Sequence, residues 1–271
     1  MNVKQNLHTH TTYCDGDNTP EELVCEAIKL GFSGIGFSGH SYTDFAPEDS
    51  MTVQGTDLYI KHINKLKKAY AEQIDIFLGL EVDYYSSVDL SSYDYLIGSV
   101  HYLYMNEKYI CADGTISDVK AVIDKYFNGN GLNYARKYYE TLSLLPNHGK
   151  IDIIGHFDLI TKHLERESLF DTQTKEYQNI VINTLEALSG KIPFFEVNTG
   201  AIANGFRTTP YPSLFVLKQL KRLGYGAIIS SDCHDCTLLD YGFDKAKEWL
   251  KIAGFNEYYI LTSNGFVPIK I

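Results

Sequence analysis

Histidines and carboxylates recur in this sequence just after short apolar runs, where they could hold metal ions. His8-Thr9-His10 follows the run ending at Leu7, and Asp15 lies five residues further on. His40 closes the run 35–38, Glu81 lies near the end of 74–82, and His101 follows 95–100. His156 follows 152–155, and Asp232 and His234 follow 227–230. Six of the nine histidines occupy such positions, while His62, His148 and His163 fall in predicted helices or loops. Buried imidazoles and carboxylates without partners are costly to desolvate. Several at one place need a shared partner, and divalent cations supply one. Alternate residues of an extended segment point the same way, so His8 and His10 can reach one ion.

Runs 4–7, 35–38, 74–82, 95–100, 152–155, 193–197, 227–230 and 258–261 are predicted strands. Helices are predicted between them, over 58–72, 118–127, 134–145, 174–188, 212–223 and 245–253. A further helix starts at Thr19-Pro20-Glu21-Glu22, where Thr19 suits the N-cap, Pro20 the first turn and Glu22 a capping box. Gly31 ends it, and Asn128-Gly129-Asn130-Gly131 separates two later helices. Strands alternating with helices imply βα units and a parallel sheet. In a parallel barrel the C-terminal strand ends share one rim, so all nine polar residues would converge there. The glycines of Gly34-Ile35-Gly36-Phe37-Ser38-Gly39 have dinucleotide-loop spacing. They cover the strand itself and lead into His40 rather than a helix, so they are no nucleotide signal. One α/β domain over 1–271 is expected.

The 271 residues are 44% hydrophobic and 21% charged, a globular composition able to bury a sizeable core. No apolar run approaches a membrane span, and no apolar signal region opens the sequence, so a cytoplasmic location is expected. A net charge of −10 argues against a general nucleic-acid surface and leaves a small molecule as the expected partner. If that partner is an anion, a local cluster of cations must offset the acidic field. Five cysteines give no disulfide framework. Cys233-His234-Asp235-Cys236 has CxxC spacing but no second pair, so a cysteine zinc site is not expected. Cys14 and Cys233 read as packing residues beside Asp15 and His234.

Leu7-His8-Thr9-His10-Thr11, Cys14-Asp15-Gly16, Ser38-Gly39-His40, Gly79-Leu80-Glu81, Ser99-Val100-His101, Gly155-His156-Phe157-Asp158 and Ser231-Asp232-Cys233-His234 occur in this order. Together they resemble the ordered motifs of the PHP (polymerase and histidinol phosphatase) family, in particular its stand-alone histidinol-phosphate phosphatases. The motifs run from residue 8 to residue 234. The resemblance implies a distorted (β/α)7 TIM-like barrel, so one of the eight predicted strands should be peripheral. It also implies a trinuclear site. His8, His10, Glu81 and Asp232 would hold one ion. Glu81, His101 and His156 would hold a second, with Glu81 bridging. Asp15, His40 and His234 would hold a third. Imidazole-rich sites with carboxylates suit zinc, iron or manganese. Three carboxylates and three divalent ions leave the site positive, ready for a phosphate dianion.

The reaction so implied is hydrolysis of a small phosphate monoester, L-histidinol phosphate, by in-line attack of a metal-bridging hydroxide. Asp232 or His234 would pass a proton to the leaving alkoxide. Arg207 lies in the loop after the predicted strand 193–197 and resembles the family's phosphate-binding arginine. Lys162, six residues after His156, is a second basic candidate, with Arg166 as a substitute. Tyr42, Asp44, Tyr102 and Asp158 lie beside ligand motifs and could face the rest of the substrate. Two other readings stand beside this one: a PHP phosphoesterase for nucleotides or phosphotyrosine, and a metal-binding protein without turnover.

Overall fold

The protein is represented by a computed structural model that describes residues 3–271. Residues 1–2 of the expected 1–271 unit lie outside the described residues. In chain order the strands are β1 (Gln5–Asn6), β2 (Gly34–Phe37), β3 (Asp75–Asp83) and β4 (Tyr95–Ser99). The hairpin β5 (Tyr102–Met105) and β6 (Lys108–Cys111) comes next. After it come β7 (Ile153–Ile154), β8 (Phe194–Asn198) and β9 (Gly226–Ser230), then the hairpin β10 (Glu257–Thr262) and β11 (Gly265–Lys270). The helices are α1 (Pro20–Lys29), α2 (Val53–Ala69), α3 (Ile116–Phe127), α4 (Gly131–Leu142), α5 (Lys175–Leu188), α6 (Gly200–Ala203), α7 (Leu214–Arg222) and α8 (Phe243–Ile252). Among the described residues, no helix is long and apolar enough to cross a membrane.

Seven strands pair in the order β1-β2-β3-β4-β7-β8-β9, all in parallel. The sheet curls until its ends meet just past β1 and β9. There Thr9 bridges Cys233, His10 N–H donates to Cys233 O at 2.9 Å, and Cys233 N–H donates to His8 O at 3.3 Å. The segments that close the barrel are thus the ones carrying His8, His10, Asp232 and His234.

Strand periodicity sorts side chains to two faces. On β3, Ile76, Leu78, Leu80 and Val82 pack outward against the helices, while Phe77 joins Leu7, Tyr95, Ile97, Ile153, Ile228 and Leu261 inside the barrel. Gly79, Glu81 and Asp83 share the parity of Phe77. Gly36 and Gly79 leave room for the Tyr95 ring, which a Cβ on either would strike at 2.9 Å or less. Tyr95 Oη donates to Leu7 O at 2.5 Å, tying the interior to β1 beside His8.

The peripheral strand is the predicted 258–261, which lies in the antiparallel hairpin β10–β11. Its Leu261 exchanges two hydrogen bonds with the Gln5 side chain, at the barrel end away from the ligand rim. Thr19 and Glu22 form the expected capping box, worth about 1 kcal/mol. Several boundaries shift. α2 begins at Val53 rather than 58, because Thr52 caps it by accepting from Gly55 N–H. α4 begins at Gly131 rather than 134, capped by Asn130. Gly131 is not a breaker there: a Cβ would lie 1.9 Å from Leu169 O. The β5–β6 hairpin escapes the sequence reading. Its turn places Asn106 and Glu107 at φ of 48° and 62°, without the glycine that usually marks such a turn.

Candidate metal centre

All nine predicted ligand residues meet at the C-terminal mouth of the barrel. Four overlapping groups have candidate ligand atoms within 4.8 Å of one another: His10-Asp15-His40-His234, His8-Glu81-His156, His8-His10-Asp232 and His40-Glu81-His101. Glu81 is their hub. Its Oε1 lies 3.3 Å from His101 Nε2 and 3.0 Å from His156 Nε2. Its Oε2 lies 3.3 Å from His8 Nε2, 3.6 Å from His10 Nε2 and 2.9 Å from His40 Nδ1. One carboxylate therefore faces two sets of imidazoles, one per oxygen, as a bridging role requires.

Asp232 and Asp15 complete the remaining sets. Asp232 Oδ1 lies 3.3 Å from His8 Nε2 and 3.1 Å from His10 Nε2. Asp232 has a φ of 49°, a left-handed conformation uncommon for non-glycine residues. Asp15 lies 3.3 Å from His10 Nδ1, 3.6 Å from His40 Nε2 and 3.1 Å from His234 Nε2. His234 stacks on His10 with ring centroids 4.0 Å apart.

The donor set fits metal ions by a direct test. His8 Nε2, His10 Nε2 and Glu81 Oε2 are buried without an aligned hydrogen bond, although imidazole and carboxylate atoms crowd around them at 2.9 to 3.6 Å. Such orphaned polar atoms are expensive unless a cation sits among them. Electrostatics point the same way. Burial pushes the His8 imidazole down, yet Asp232, Glu196 and Glu81 raise it well above its ordinary range. His101 is likewise lowered by burial and raised further by Glu81 and Asp83. His40 is pushed up to about 9, with burial opposed chiefly by Glu81. Burial raises the Glu81 carboxyl, but His8, His40 and His101 hold it well below the usual carboxylate range. The cluster demands positive charge, which bound ions would supply in place of protons.

Two carboxylates not singled out from the sequence lie behind the candidate ligands. Glu196 Oε2 accepts from His8 Nδ1 at 2.8 Å, and Asp83 Oδ2 lies 3.4 Å from His101 Nδ1 while accepting from the His101 backbone N–H at 2.7 Å. Carboxylates behind metal-binding histidines fix ring orientation and basicity. A usable signal exists. Each lies two residues from another interior residue on its strand, Asp83 after Glu81 and Glu196 after Phe194.

A cleft of about 300 Å³ opens over the centre, bounded by the candidate ligands other than His8 and His10 and by Asp49, Tyr102, Asp113, Lys162, Phe206 and Tyr211. Lys162 Nζ lies 3.1 Å from Asp113 Oδ2 and donates to Asp113 O at 3.0 Å. Arg207 sits behind that wall. Its guanidinium packs 4.5 Å from the Tyr211 ring centroid and donates to Thr161 and Thr209, while its Nε is buried without a partner. Arg166 is turned away and donates to Gly205 O. Of the other substrate candidates, Tyr102 borders the cleft, whereas Tyr42 and Asp44 do not. Asp158 is fully buried and accepts from Ser213 N–H at 2.8 Å. His62, His148 and His163 bond to Tyr13 Oη, Tyr84 O and Gly114 O, away from the cluster. All five cysteines are free.

A parallel barrel whose mouth gathers imidazoles and carboxylates around one buried glutamate is suited to metal-dependent hydrolysis. The chain belongs to the PHP domain family, whose sequence pattern matches residues 6–200. Histidinol-phosphatase of Bacillus subtilis is 27% identical over 271 residues, covering 89% of this chain and 97% of the relative. A candidate histidinol phosphatase of Listeria monocytogenes shares the fold, with a TM-score of 0.77 at 21% identity over 89% of this chain and 99% of that one. So does histidinol phosphate phosphatase of Lactococcus lactis, solved with zinc, L-histidinol and phosphate. Its TM-score is 0.72 at 24% identity, over 97% of this chain and 98% of that one.

Proposed function

We propose that this protein hydrolyses L-histidinol phosphate to L-histidinol and phosphate, using two or three divalent ions held at the barrel mouth. The observation that carries this reading is the Glu81 hub, with five imidazoles within 3.6 Å of its two oxygens. His8, His10, Glu81 and Asp232 would hold one ion, Glu81, His101 and His156 a second, and Asp15, His40 and His234 a third, with His10 also in reach of Asp15. Zinc, iron and manganese suit these ligands, and zinc accompanies the Lactococcus lactis relative. Bound ions would supply Lewis acidity, neutralising phosphoryl charge and making water a stronger acid.

The chain's own residues do the rest. Lys162 places an ammonium on the cleft wall for the phosphate, and Arg207 adds a second positive charge from behind Tyr211. Asp49 and Asp113 offer carboxylates to the substrate's ammonium, and Tyr102 and Phe206 offer flat faces to its imidazole. Asp232 and His234 both border the cleft and are the candidates for protonating the leaving alkoxide. The His234 side chain is 36% exposed against 20% for Asp232, so it is the more open of the two to solvent.

The test is a panel of phosphate monoesters on metal-loaded protein. Histidinol phosphate should give the highest kcat/KM. A nucleotide or phosphotyrosine preferred over it would move the reading to another phosphoesterase. Hydrolysis of none would favour a metal-binding protein without turnover. In labelled water, a single turnover should place one solvent oxygen in the phosphate, and recovery of a covalent phosphoenzyme would exclude direct attack.

A further inference from the structure

Glu196 belongs to none of the ligand sets proposed above, yet it touches or reaches three of their members. It is fully buried. Its Oε2 accepts from His8 Nδ1 at 2.8 Å and from the Ser230 hydroxyl at 2.6 Å. Its Oε1 accepts from the His156 backbone N–H at 2.6 Å and from Asn198 Nδ2 at 2.8 Å. The same Asn198 amide donates to Asp232 Oδ2 at 3.1 Å. The His8 ring turns its other nitrogen, Nε2, toward Glu81 and Asp232, where it has no hydrogen-bond partner.

A neutral imidazole has one N–H, and only the opposite nitrogen can offer a lone pair to a cation. An ionised carboxylate only accepts hydrogen bonds, so the ring nitrogen facing it must carry the proton. We propose that Glu196 is the positioning residue of the metal centre: it fixes His8 in the Nδ1–H tautomer and so presents Nε2 as a ligand. The proposal rests on the reading of these residues as a metal centre.

Glu196→Gln discriminates because a carboxamide must turn its NH2 toward one of the two donor pairs. The pair at Oε1 includes a backbone N–H, which cannot reverse its role. Both donors at Oε2 can reverse: the Ser230 hydroxyl rotates, and His8 can carry its proton on Nε2 instead. The NH2 group should therefore face His8, and the nitrogen aimed at the metal centre becomes an N–H. Ser230→Ala removes the other donor to Oε2 without asking anything of His8.

Two measurements decide the matter. The first is long-range ¹H–¹⁵N NMR of zinc-loaded protein labelled at histidine, which shows which His8 nitrogen is protonated. The second is the zinc-to-protein ratio after dialysis against a weak chelator, with circular dichroism to confirm folding. Wild type should show His8 protonated at Nδ1 and should retain its zinc, as should Ser230→Ala. Glu196→Gln should lose zinc, with affinity weakened about 10- to 100-fold. Wild type that binds no zinc would remove the metal-centre reading itself. Zinc-loaded wild type with His8 protonated at Nε2 would overturn the role of Glu196, and so would folded Glu196→Gln with unchanged zinc content and affinity. Should Glu196→Gln not fold, the wild-type spectrum decides alone.

Discussion

Zinc binding at the mouth should strengthen with pH, because ions must displace protons that the carboxylates hold on the histidines. His40 sets the scale. Its Nδ1 lies 2.9 Å from Glu81 Oε2 and its Nε2 3.6 Å from Asp15 Oδ2. Burial and the His10 charge oppose protonation, but Glu81 and Asp15 outweigh them and push the ring up to about 9. At pH 7 the ring is then about 2 units below its pKa, and displacing its proton costs about 2.7 kcal/mol at ~1.36 kcal/mol per unit. The side chain is 20% exposed, so solvent screening makes this an upper value. From this ring alone, half deprotonated at pH 9 and about 1% deprotonated at pH 7, apparent zinc affinity should be up to ~50-fold weaker at pH 7 than at pH 9. Glu81→Gln removes the largest attraction and leaves burial and His10 in place, so His40 should titrate lower and its part of the pH dependence should shrink. The variant should also bind zinc more weakly, by roughly 3–5 kcal/mol if the loss resembles removal of one partner from a buried charge pair. The assay is competition with a chelator of known pH-dependent affinity at pH 7, 8 and 9, with an NMR titration of His40 in metal-free protein. Zinc affinity that stays flat from pH 7 to 9 after chelator correction would refute the reasoning, as would a wild-type His40 titrating at or below its ordinary value.

Further outcomes follow from the same geometry. In metal-free protein the folded pKa of His40 lies above its unfolded value, so its stabilisation is complete below about pH 6.5 and is lost as pH rises through about 9. His8, His10 and His101 are raised too and act in the same direction. Thermal scans of chelated protein should therefore show Tm falling over that window, and a Tm that climbs with pH would contradict the electrostatics of the cluster. Lys162→Ala should keep its metal content and lower kcat/KM by roughly 10- to 100-fold, the scale of one charge-assisted hydrogen bond. Arg207→Ala should also keep the metals, raise KM and slow turnover, and unchanged kinetics would remove Arg207 from the site. Gly79→Ala would place a Cβ 2.2 Å from Tyr95 Cζ. It should destabilise by about 1–3 kcal/mol through overpacking, read as a lower Tm, and an unchanged Tm would show that Tyr95 moves freely.

The linear sequence alone determined where the metal-type side chains stand along the chain. All but Asp15, which lies in the loop after His10, stand at or just past the end of an apolar run, and a parallel barrel delivers the ends of such runs to one rim. His8, His10, Asp15, His40, Glu81, His101, His156, Asp232 and His234 were legible on that ground together with the order of the motifs, whereas one strand too many was noticed only from the family resemblance, and the structure shows which one it is. For Glu196 and Asp83 the strand parity was readable but the role was not, because the role depends on which face of a strand turns inward and on which neighbour lies opposite. Barrel closure at Thr9 and Cys233 decides that, and it is a long-range pairing. The ranking of the basic residues also needed coordinates. Loop paths put Lys162 on the cleft wall and Arg207 behind Tyr211, although local sequence favoured the arginine. Spacing fixes position along the chain, whereas distance across the mouth is set by register and closure, which no local stretch encodes.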